Sequence, residues 1–562
     1  MENYILIIGI IAYISLAFIS GLREKKKKTI LLLSRLENDF GKCANKEYKA
    51  ERIERISHYY HWKKKLASDN EVWVDDITWN DLDMDMIFKS MNNTYSSAGE
   101  EYLYYMLRHI NFNTNSLYEN DRDIRVFQND KNIRIAFQKI FAGLGDTGNY
   151  SIIDYLDYLG TLEVKKLIID KLMNILLCVF VIISFWDAGT GILGAIVVCT
   201  LQIINYFKLK REIEPYYVCF AYILRLISAG NNIVKCENSN FEKLYTSIQE
   251  KLNKLRKIEK KASKLQKTMA NMSSNPNDIV MDYVNMILHL DIIKFYKMLK
   301  LVSASKKHIY DLLEDMGAIE AKIAIASYRE YLPYYSVPEF TEEVVLVNDD
   351  LYHPLLERPI SNTISTNKSV LITGSNASGK STFLKAVAIN AIFVQTISTC
   401  VTNKTKTALF GIYSSISIKD NIEEGDSYYL AEIKSIKRII DTTKLMKFNV
   451  LCFVDEVLRG TNTIERIAAS TQILKVLSQG NVICFAATHD IELTNLLDRE
   501  YVNYHFQEIM MENDIEFDYK IHKGPATSRN AIALLKLLGY DDAIIENANG
   551  LAIKFSELGS WV

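Results

Sequence analysis

The sequence predicts a chain in two parts: a mostly α-helical N-terminal part with long apolar stretches, and an α/β C-terminal part. Three observations predict it. Tyr4–Leu22 and Leu172–Phe207 are apolar runs on the scale of a membrane passage. Helical spacing of apolar residues continues to about Tyr331, after which Pro333 and Pro338 mark a boundary. Beyond it, three short apolar β-type runs, Val370–Ile372, Asn449–Val454 and Val482–Ala487, each lead into residues that carry chemistry.

The chain has 562 residues, enough for roughly three or four domains. The boundaries read as residues 1–28 (apolar anchor and basic flank), 29–90 (helical, no chemistry apparent), 91–335 (helical core) and 336–562 (α/β). Lys and Arg number 66 against 68 Asp and Glu, a net charge of -2, which excludes a basic nucleic-acid binder as a whole and makes any such footprint local. The eight cysteines include no C-x-x-C pair and several sit in apolar runs, so they read as buried thiols in a reducing compartment, not as a disulfide or zinc framework.

Tyr4–Leu22 carries no charge and is followed at once by Arg23-Glu24-Lys25-Lys26-Lys27-Lys28. A secretory signal has the opposite order, so the expectation is an uncleaved anchor with the basic cluster and the rest of the chain in the cytosol. A buried core helix is the alternative. Trp62, Trp73 and Trp79 suggest packing or a surface patch in the stretch that follows. Tyr102, Leu103, Met106, Leu107 and Ile110 fall on one helical face.

Leu172–Phe207 is too long for one ordinary span, and Asp187-Ala188-Gly189-Thr190-Gly191 interrupts it with turn residues. The expectation is a helical hairpin of two short spans. Lys165, Lys166 and Lys171 before it and Lys208, Lys210 and Arg211 after it put both ends on the cytosolic side of a membrane. A soluble hairpin buried in a helical domain is the alternative. Lys251–Lys267 holds eight basic residues and the single acid Glu259, with Leu252, Leu255, Ile258, Ala262 and Leu265 as an apolar stripe. Lys254, Lys257, Lys261 and Lys264 are its candidate contacts to DNA phosphates or to an anionic leaflet, with a merely solvated face as the third reading.

Ser369–Ser381 reads SVLITGSNASGKS: a strand, the spacing G-x-x-x-x-G-K-S from Gly374, and a helix after it. Glycines let backbone N–H groups curl around phosphate oxygens, and the helix N-terminus adds positive potential. Gly374, Ser375, Asn376, Ala377, Ser378, Gly379, Lys380, Ser381 and Thr382 therefore form the expected ATP-binding loop, with Lys380 on the β/γ-phosphates and Ser381 on Mg²⁺. The strand Asn449–Val454 delivers Asp455 and Glu456 to the carboxyl edge of a buried parallel sheet. Asp455 would act on Mg²⁺ through water, and Glu456 would orient or deprotonate the attacking water. The third strand ends at Thr488-His489-Asp490, where His489 can polarise or sense the γ-phosphate region.

With these residues in hand, the chain resembles the MutS family, the DNA mismatch repair ATPases of the ABC-type ATPase class. The resemblance covers roughly Thr94–Gln128 and nearly all of Leu351–Lys554. It is carried by Thr373, Gly374 and Asn376 of the T-G-x-N core, by Ser427-Tyr428-Tyr429-Leu430-Ala431-Glu432, and by Asp455-Glu456-Val457-Leu458-Arg459-Gly460-Thr461-Asn462. Ala487-Thr488-His489 with Glu492-Leu493-Thr494, His353-Pro354, and Gly524–Gly539 add to it. The resemblance implies an ABC-type P-loop ATPase domain preceded by a helical core and lever domain. It implies that Ser427 reaches the γ-phosphate of a partner subunit, that Asn362 and His505 join the ATP site, and that the chain forms a homodimer through its ATPase domains. It also implies mismatched or branched DNA as a partner, ATP and Mg²⁺ as cofactors, and ATP hydrolysis that opens and closes the dimer.

The departures set further expectations. No F-x-E precedes Thr94, so mismatch reading by the family's wedge is not expected, nor are its mismatch-reading and connector domains or its nuclease-type C-terminal addition. The apolar hairpin lies near the place of the family's DNA clamp. Asp426 stands where the family favours a basic residue, and Leu458 where it favours Gly. The expected function is a membrane-located, DNA-binding ATPase with its ATPase domain in the cytosol. The alternative is an ATPase that remodels a membrane protein assembly without DNA. An ABC transporter subunit ranks below both, because three spans are too few and no L-S-G-G-Q occurs.

Overall fold

In a computed structural model the chain separates into two compact units. The structure describes the chain except for residues 1, 69, 149, 162–167, 215, 237, 270–282, 376–377, 417–427, 446, 459–461, 511–514, 527–531, 533–534, 536–538 and 559–562. The first unit holds residues 1–69, 90–105 and 122–331; the second holds 70–89, 106–121 and 332–562. The stretches 70–89 and 106–121, read above as part of helical regions, thus group with the C-terminal α/β unit.

The helices of the N-terminal two-thirds are α1 (Glu2–Asp39), α2 (Ala50–Leu66), α3 (Asp76–Asp81), α4 (Met84–Met91), α5 (Ser97–Arg108), α6 (Thr114–Asn129), α7 (Lys131–Leu144) and α8 (Ile152–Thr161). They continue as α9 (Ile168–Ile183), α10 (Ala188–Ile213), α11 (Tyr216–Val234), α12 (Glu242–Met269), α13 (Leu290–Ala304) and α14 (Lys306–Tyr331). The apolar run and the basic cluster at the start lie on the single helix α1. On α5 the predicted face buries Leu103, Met106 and Leu107. The helix stops at Arg108, however, and Ile110 instead pairs with Val72 in a short antiparallel ladder of β1 (Val72–Trp73) and β2 (His109–Ile110).

Within the first unit α5 and α14 meet almost backbone to backbone. A Cβ on Gly317 would lie 2.6 Å from Tyr102 Cβ and 2.7 Å from the Ala98 carbonyl, so only glycine fits there. Polar groups buried beside this contact are paired, as burial demands. Glu320 accepts from the Tyr95 and Ser96 N–H groups and the Ser96 hydroxyl. Glu100 takes Arg55 at 2.6 Å, Arg52 at 2.9 Å and Asn92 at 2.8 Å. Glu101 is fully buried against the Ser151 hydroxyl at 3.0 Å, and burial pushes its pKa up to about 8.

The expected hairpin forms from α9 and α10, with its turn at residues 184–187, one step earlier than expected. Asp187 is the N-cap of α10, accepting from the Gly189 N–H at 3.0 Å, so Gly189–Gly191 open a helix and do not make the turn. Gly191 and Gly194 serve the packing: a Cβ there would strike Ser184 and the Phe180 ring. Among the described residues, Ala188–Ile213 and Tyr216–Val234 are long and apolar enough to cross a membrane by length and composition. Only 22% of the apolar window of the first is buried, against 50% for the second. Helix α11 buries Phe220, Ile223, Leu226 and Ile233, the pattern of a core helix.

The second unit is built on a six-stranded sheet. Its strands are β6 (Ser369–Thr373), β8 (Phe410–Ser415), β9 (Asn449–Asp455), β10 (Val482–Thr488), β11 (Tyr501–Met510) and β12 (Ile515–Lys523). Their order is β12-β11-β6-β10-β9-β8, all neighbours parallel except the β11–β12 pair. The three strands read from sequence are β6, β9 and β10, and they lie side by side in the middle. Their interiors are fully buried, which is why they read as continuous apolar runs and not as alternating ones. A second sheet joins β3 (Glu339–Phe340), β4 (Leu346–Leu351), β5 (Asn362–Thr366) and β7 (Lys404–Thr407).

The edge strand β8 is covered by α3, which limits open-edge pairing. Asp81 accepts from the Ser414 hydroxyl at 2.7 Å and the Ile416 N–H at 2.8 Å, and Thr78 from the Ser414 N–H at 3.0 Å. Trp79 is buried beneath the Arg108 guanidinium, 4.0 Å from its ring. All eight cysteines are free thiols. Cys219, Cys400, Cys452 and Cys484 are buried as expected, but Cys43 and Cys178 are exposed. Cys178 is exposed because the apolar helix that carries it is itself exposed.

Candidate nucleotide site

The carboxyl ends of β6, β9 and β10 converge, and each brings one part of the site. After β6 the chain turns at Gly374, whose φ of 144° is open to glycine only. A Cβ there would lie 2.8 Å from the Phe506 carbonyl oxygen. Gly379, at φ 106°, is the N-cap of the helix α15 (Lys380–Thr396). Lys380 is 2% exposed and donates to the carbonyls of Gly374 and Ser375, 2.7 Å each. The Ser378 hydroxyl donates to the Ser375 carbonyl at 2.8 Å, which closes the loop on itself. Asn376 and Ala377, expected in this loop, lie outside the described residues.

From β9 comes Asp455, whose Oδ2 accepts from the Ser381 hydroxyl at 2.5 Å. Burial raises the Asp455 pKa, with the Glu456 charge acting the same way, while the Ser381 donation opposes both. A hydroxyl and a carboxylate side by side are hard oxygen donors. Two such protein ligands, completed by phosphate oxygens and water, fit Mg²⁺, which seldom uses an all-protein cage.

Glu456 follows with φ 56°, a left-handed conformation that swings its carboxylate out of line with the strand. It meets His489 Nε2 at 2.7 Å, and the same nitrogen lies 3.4 Å from Lys380 Nζ. Glu456, His489 and Lys380 are thus gathered at one sheet edge. Asp490, next to His489, is held in a two-point bond by Arg466 (3.0 and 2.6 Å) from α17 (Thr463–Leu477).

Other expected members are placed differently. The Asn362 amide is spent on β12, donating to the Tyr519 carbonyl at 3.0 Å and accepting from the Ile521 N–H at 2.8 Å, although the residue does line the cavity beside the loop. His505 lies opposite Thr373 in the β6–β11 ladder, with Nδ1 2.9 Å from the Gly524 carbonyl, and is not among the cavity-lining residues. Ser427 and Arg459–Thr461 lie outside the described residues. On α12, Lys254 and Lys257 are exposed above the buried Leu252, Leu255 and Ile258. Lys251 is instead paired with Asp315 at 2.5 Å, and the side chains of Lys261 and Lys264 lie outside the described residues.

Sequence reasoning missed two features. The first is a cavity of about 400 Å³ beside the loop, lined by Tyr352, His353, Ile360, Phe383, Phe506 and Tyr519 together with Gly379, Ser381 and Thr382. Its size and its aromatic lining beside a phosphate loop suit a purine base. Burial pulls the His353 pKa down to about 4, with Lys385 adding to it, so the imidazole is neutral. Its Nδ1 accepts from the Leu355 N–H at 3.3 Å, which assigns the proton to Nε2. The alternation in Tyr501–Met510 was the signal for the wall that β11 provides.

The second missed feature is the role of Glu432, named above only as the end of the Ser427–Glu432 segment and carried on α16 (Tyr428–Leu445). It is buried and accepts from the backbone N–H of Leu458. Leu458 has φ 61°, left-handed without being glycine. The signal was Leu458 itself, at a position where the resembled family has Gly.

Residues 370–556 match the MutS domain V family. The chain is 29% identical over 204 residues to the DNA mismatch repair protein MutS of Thermus thermophilus, covering 35% of this chain and 25% of that protein. It is 28% identical over 262 residues to MutS of Pseudothermotoga lettingae (44% and 32%) and 28% identical over 231 residues to MutS of Streptococcus uberis (39% and 27%). The matched part thus spans about a quarter to a third of the length of these curated relatives. The match to MutS domain V thus falls on the unit that gathers Lys380, Ser381, Asp455, Glu456 and His489 at one sheet edge, and this part of the chain is similar to that domain.

Proposed function

We propose that the chain is a Mg²⁺-dependent ATPase of the MutS type that binds mismatched or branched DNA, dimerises through its C-terminal units, and is located at a membrane. One observation carries the ATPase: the meeting of Lys380, the Ser381–Asp455 pair and the Glu456–His489 pair at the carboxyl edge of three parallel strands. Lys380 neutralises charge on the β- and γ-phosphates. Ser381 and Asp455 would hold Mg²⁺, which would supply positive charge to the phosphates. Glu456 takes the proton of the attacking water, with His489 keeping its carboxylate turned to the γ-phosphate side. The neutral His353 and the aromatic walls of the cavity hold the base.

The dimer follows from the likeness of the segment at Ser427 to the family's partner-reaching serine. DNA binding follows from the family and from the basic face of α12 at Lys254 and Lys257. The membrane follows from the apolar run of α1 and its basic flank, which orient the C-terminal unit to the cytosol. A second reading, in which the same ATPase rearranges a membrane assembly without DNA, is favoured by the apolar hairpin that stands near the family's clamp position.

The test of the ATPase and dimer is a complementation in trans. Lys380→Ala and Ser427→Ala chains, each inactive or weak alone, are mixed and assayed for ATP hydrolysis. Recovery of activity supports a site shared between subunits. No recovery, with each chain folded, refutes it.

A further inference from the structure

The hairpin of α9 and α10 leaves its outward surface bare. Leu172, Ile175, Val179 and Ile182 are exposed on α9; Leu193, Ile196, Leu201 and Ile204 are exposed on α10, and Phe185 and Trp186 at the tip are over four-fifths exposed. On α10 the exposed positions include the adjacent pairs Ile192–Leu193 and Ile196–Val197, so the bare surface covers the whole outward half of the helix and not one stripe. A protein partner covers a stripe or a patch. An arm that is apolar around its outer circumference is what hydrocarbon covers.

The base of the hairpin has the opposite character. Gln202 donates to Asn174 at 2.8 Å, and Asn174 donates to the Leu288 carbonyl at 3.1 Å. Tyr206 donates to Asp291 at 2.9 Å, and His289 lies 2.9 Å from the Gln202 carbonyl. These bonds fasten both arms to the start of α13 within the first unit. At the two chain ends of the hairpin stand Lys171, Lys208, Lys210 and Arg211, which outnumber the neighbouring acids Asp170, Glu212 and Glu214, and Lys297 and Lys300 are exposed on α13. A basic collar below an apolar arm complements anionic headgroups.

Length fixes the depth. From Ala188 to Lys208 α10 rises about 30 Å, and from Lys171 to Ser184 α9 rises about 20 Å. The long side chain of Lys171 can reach several ångströms further to the headgroups, and local thinning of the bilayer takes up the rest of the shorter arm's mismatch. A bilayer core is about 30 Å thick. The polar tip, with Trp186, Asp187 and Thr190, belongs at an interface and not in the middle of the hydrocarbon.

We propose that this hairpin is embedded in an anionic lipid bilayer, its basic base at the near headgroup layer and its tip, Phe185–Asp187, at the far one. The inference rests on the membrane localisation proposed above, but its test does not read α1. The full chain is reconstituted with its C-terminal unit outward in vesicles of phosphatidylcholine and phosphatidylglycerol whose acyl chains carry bromine at a shallow or a deep position. Trp186 emission is taken as the difference between the native chain and Trp186→Phe, an exposed position whose change leaves the fold alone. The expected result is loss of Trp186 emission with shallow bromine, less loss with deep bromine, and none with iodide added outside.

Stronger loss with deep bromine would put the tip at the midplane and overturn the crossing. Loss to external iodide would put the arm on the near surface and overturn the insertion. No loss to any bromine, in a chain that still floats with the vesicles, would overturn the hairpin inference alone. A chain that does not float would overturn the localisation itself.

Discussion

Glu456 is the residue on which the chemical account turns. Its left-handed backbone is a cost of about 1–3 kcal/mol outside glycine, kept because it turns the carboxylate toward His489. Glu456→Gln keeps the shape and removes the base. ATP binding should survive while turnover falls by roughly 10²–10⁴-fold, checked by nucleotide binding and single-turnover hydrolysis. Normal turnover would move the base elsewhere. Gly374→Ala should fail earlier: its Cβ meets the Phe506 carbonyl at a φ that L side chains avoid, so nucleotide binding itself should be lost in a filter or fluorescence assay.

Leu458 shows how magnitudes decide. Glycine there would relieve a left-handed strain of about 1–2 kcal/mol, yet it would also remove a buried leucine worth about 2–5 kcal/mol. Leu458→Gly should therefore lower the melting temperature. Glu432→Ala, which takes the acceptor from the buried Leu458 N–H, should cost about 1–3 kcal/mol by the same measurement.

Glu101 gives a pH dependence. Its folded pKa is raised to about 8, so between its ordinary value near 4.5 and about 8 the folded state holds the extra proton. Its contribution to stability is full below that window and is lost as pH rises through it, at up to about 1.4 kcal/mol per pH unit. The first unit should melt higher at pH 6 than at pH 8. Glu101→Gln, neutral throughout, should flatten that slope.

At the scale of elements, what was legible in the sequence was whatever a single run could state. β6, β9 and β10 are buried on both faces, so continuous apolar text marked them, and the residues after each run marked the site. The hairpin was legible by its length and its interruption, but its turn was not. Asp187 looked like part of a turn and is a helix cap, while Gly191 looked like a turn residue and, like Gly194, is a contact surface.

The two-residue strands at Val72–Trp73 and Glu339–Phe340 are too short to show a period. Asp81 and Asp75 gave no hint that their segment would cover an edge strand some 330 residues away. His505 and Asn362 came from resemblance alone, and the backbone of β12 and of Gly524 just after it exchanges hydrogen bonds with them.

At the scale of the whole molecule, a unit that matches MutS domain V shares one chain with a helical unit that has a bare apolar arm. The matched relatives are mismatch repair proteins, and the matched part covers a quarter to a third of them. Under the proposed function, ATP turnover in this chain answers to DNA. The measurement that tests it most directly is ATP hydrolysis by the detergent-purified full chain with homoduplex, mismatched or branched DNA across a salt series. The account predicts stimulation, greatest with mismatched or branched DNA and falling steeply as salt rises, because phosphate contacts are made by releasing counterions. Turnover indifferent to every DNA at every salt concentration would contradict it, leaving an ATPase engine whose substrate is the membrane assembly.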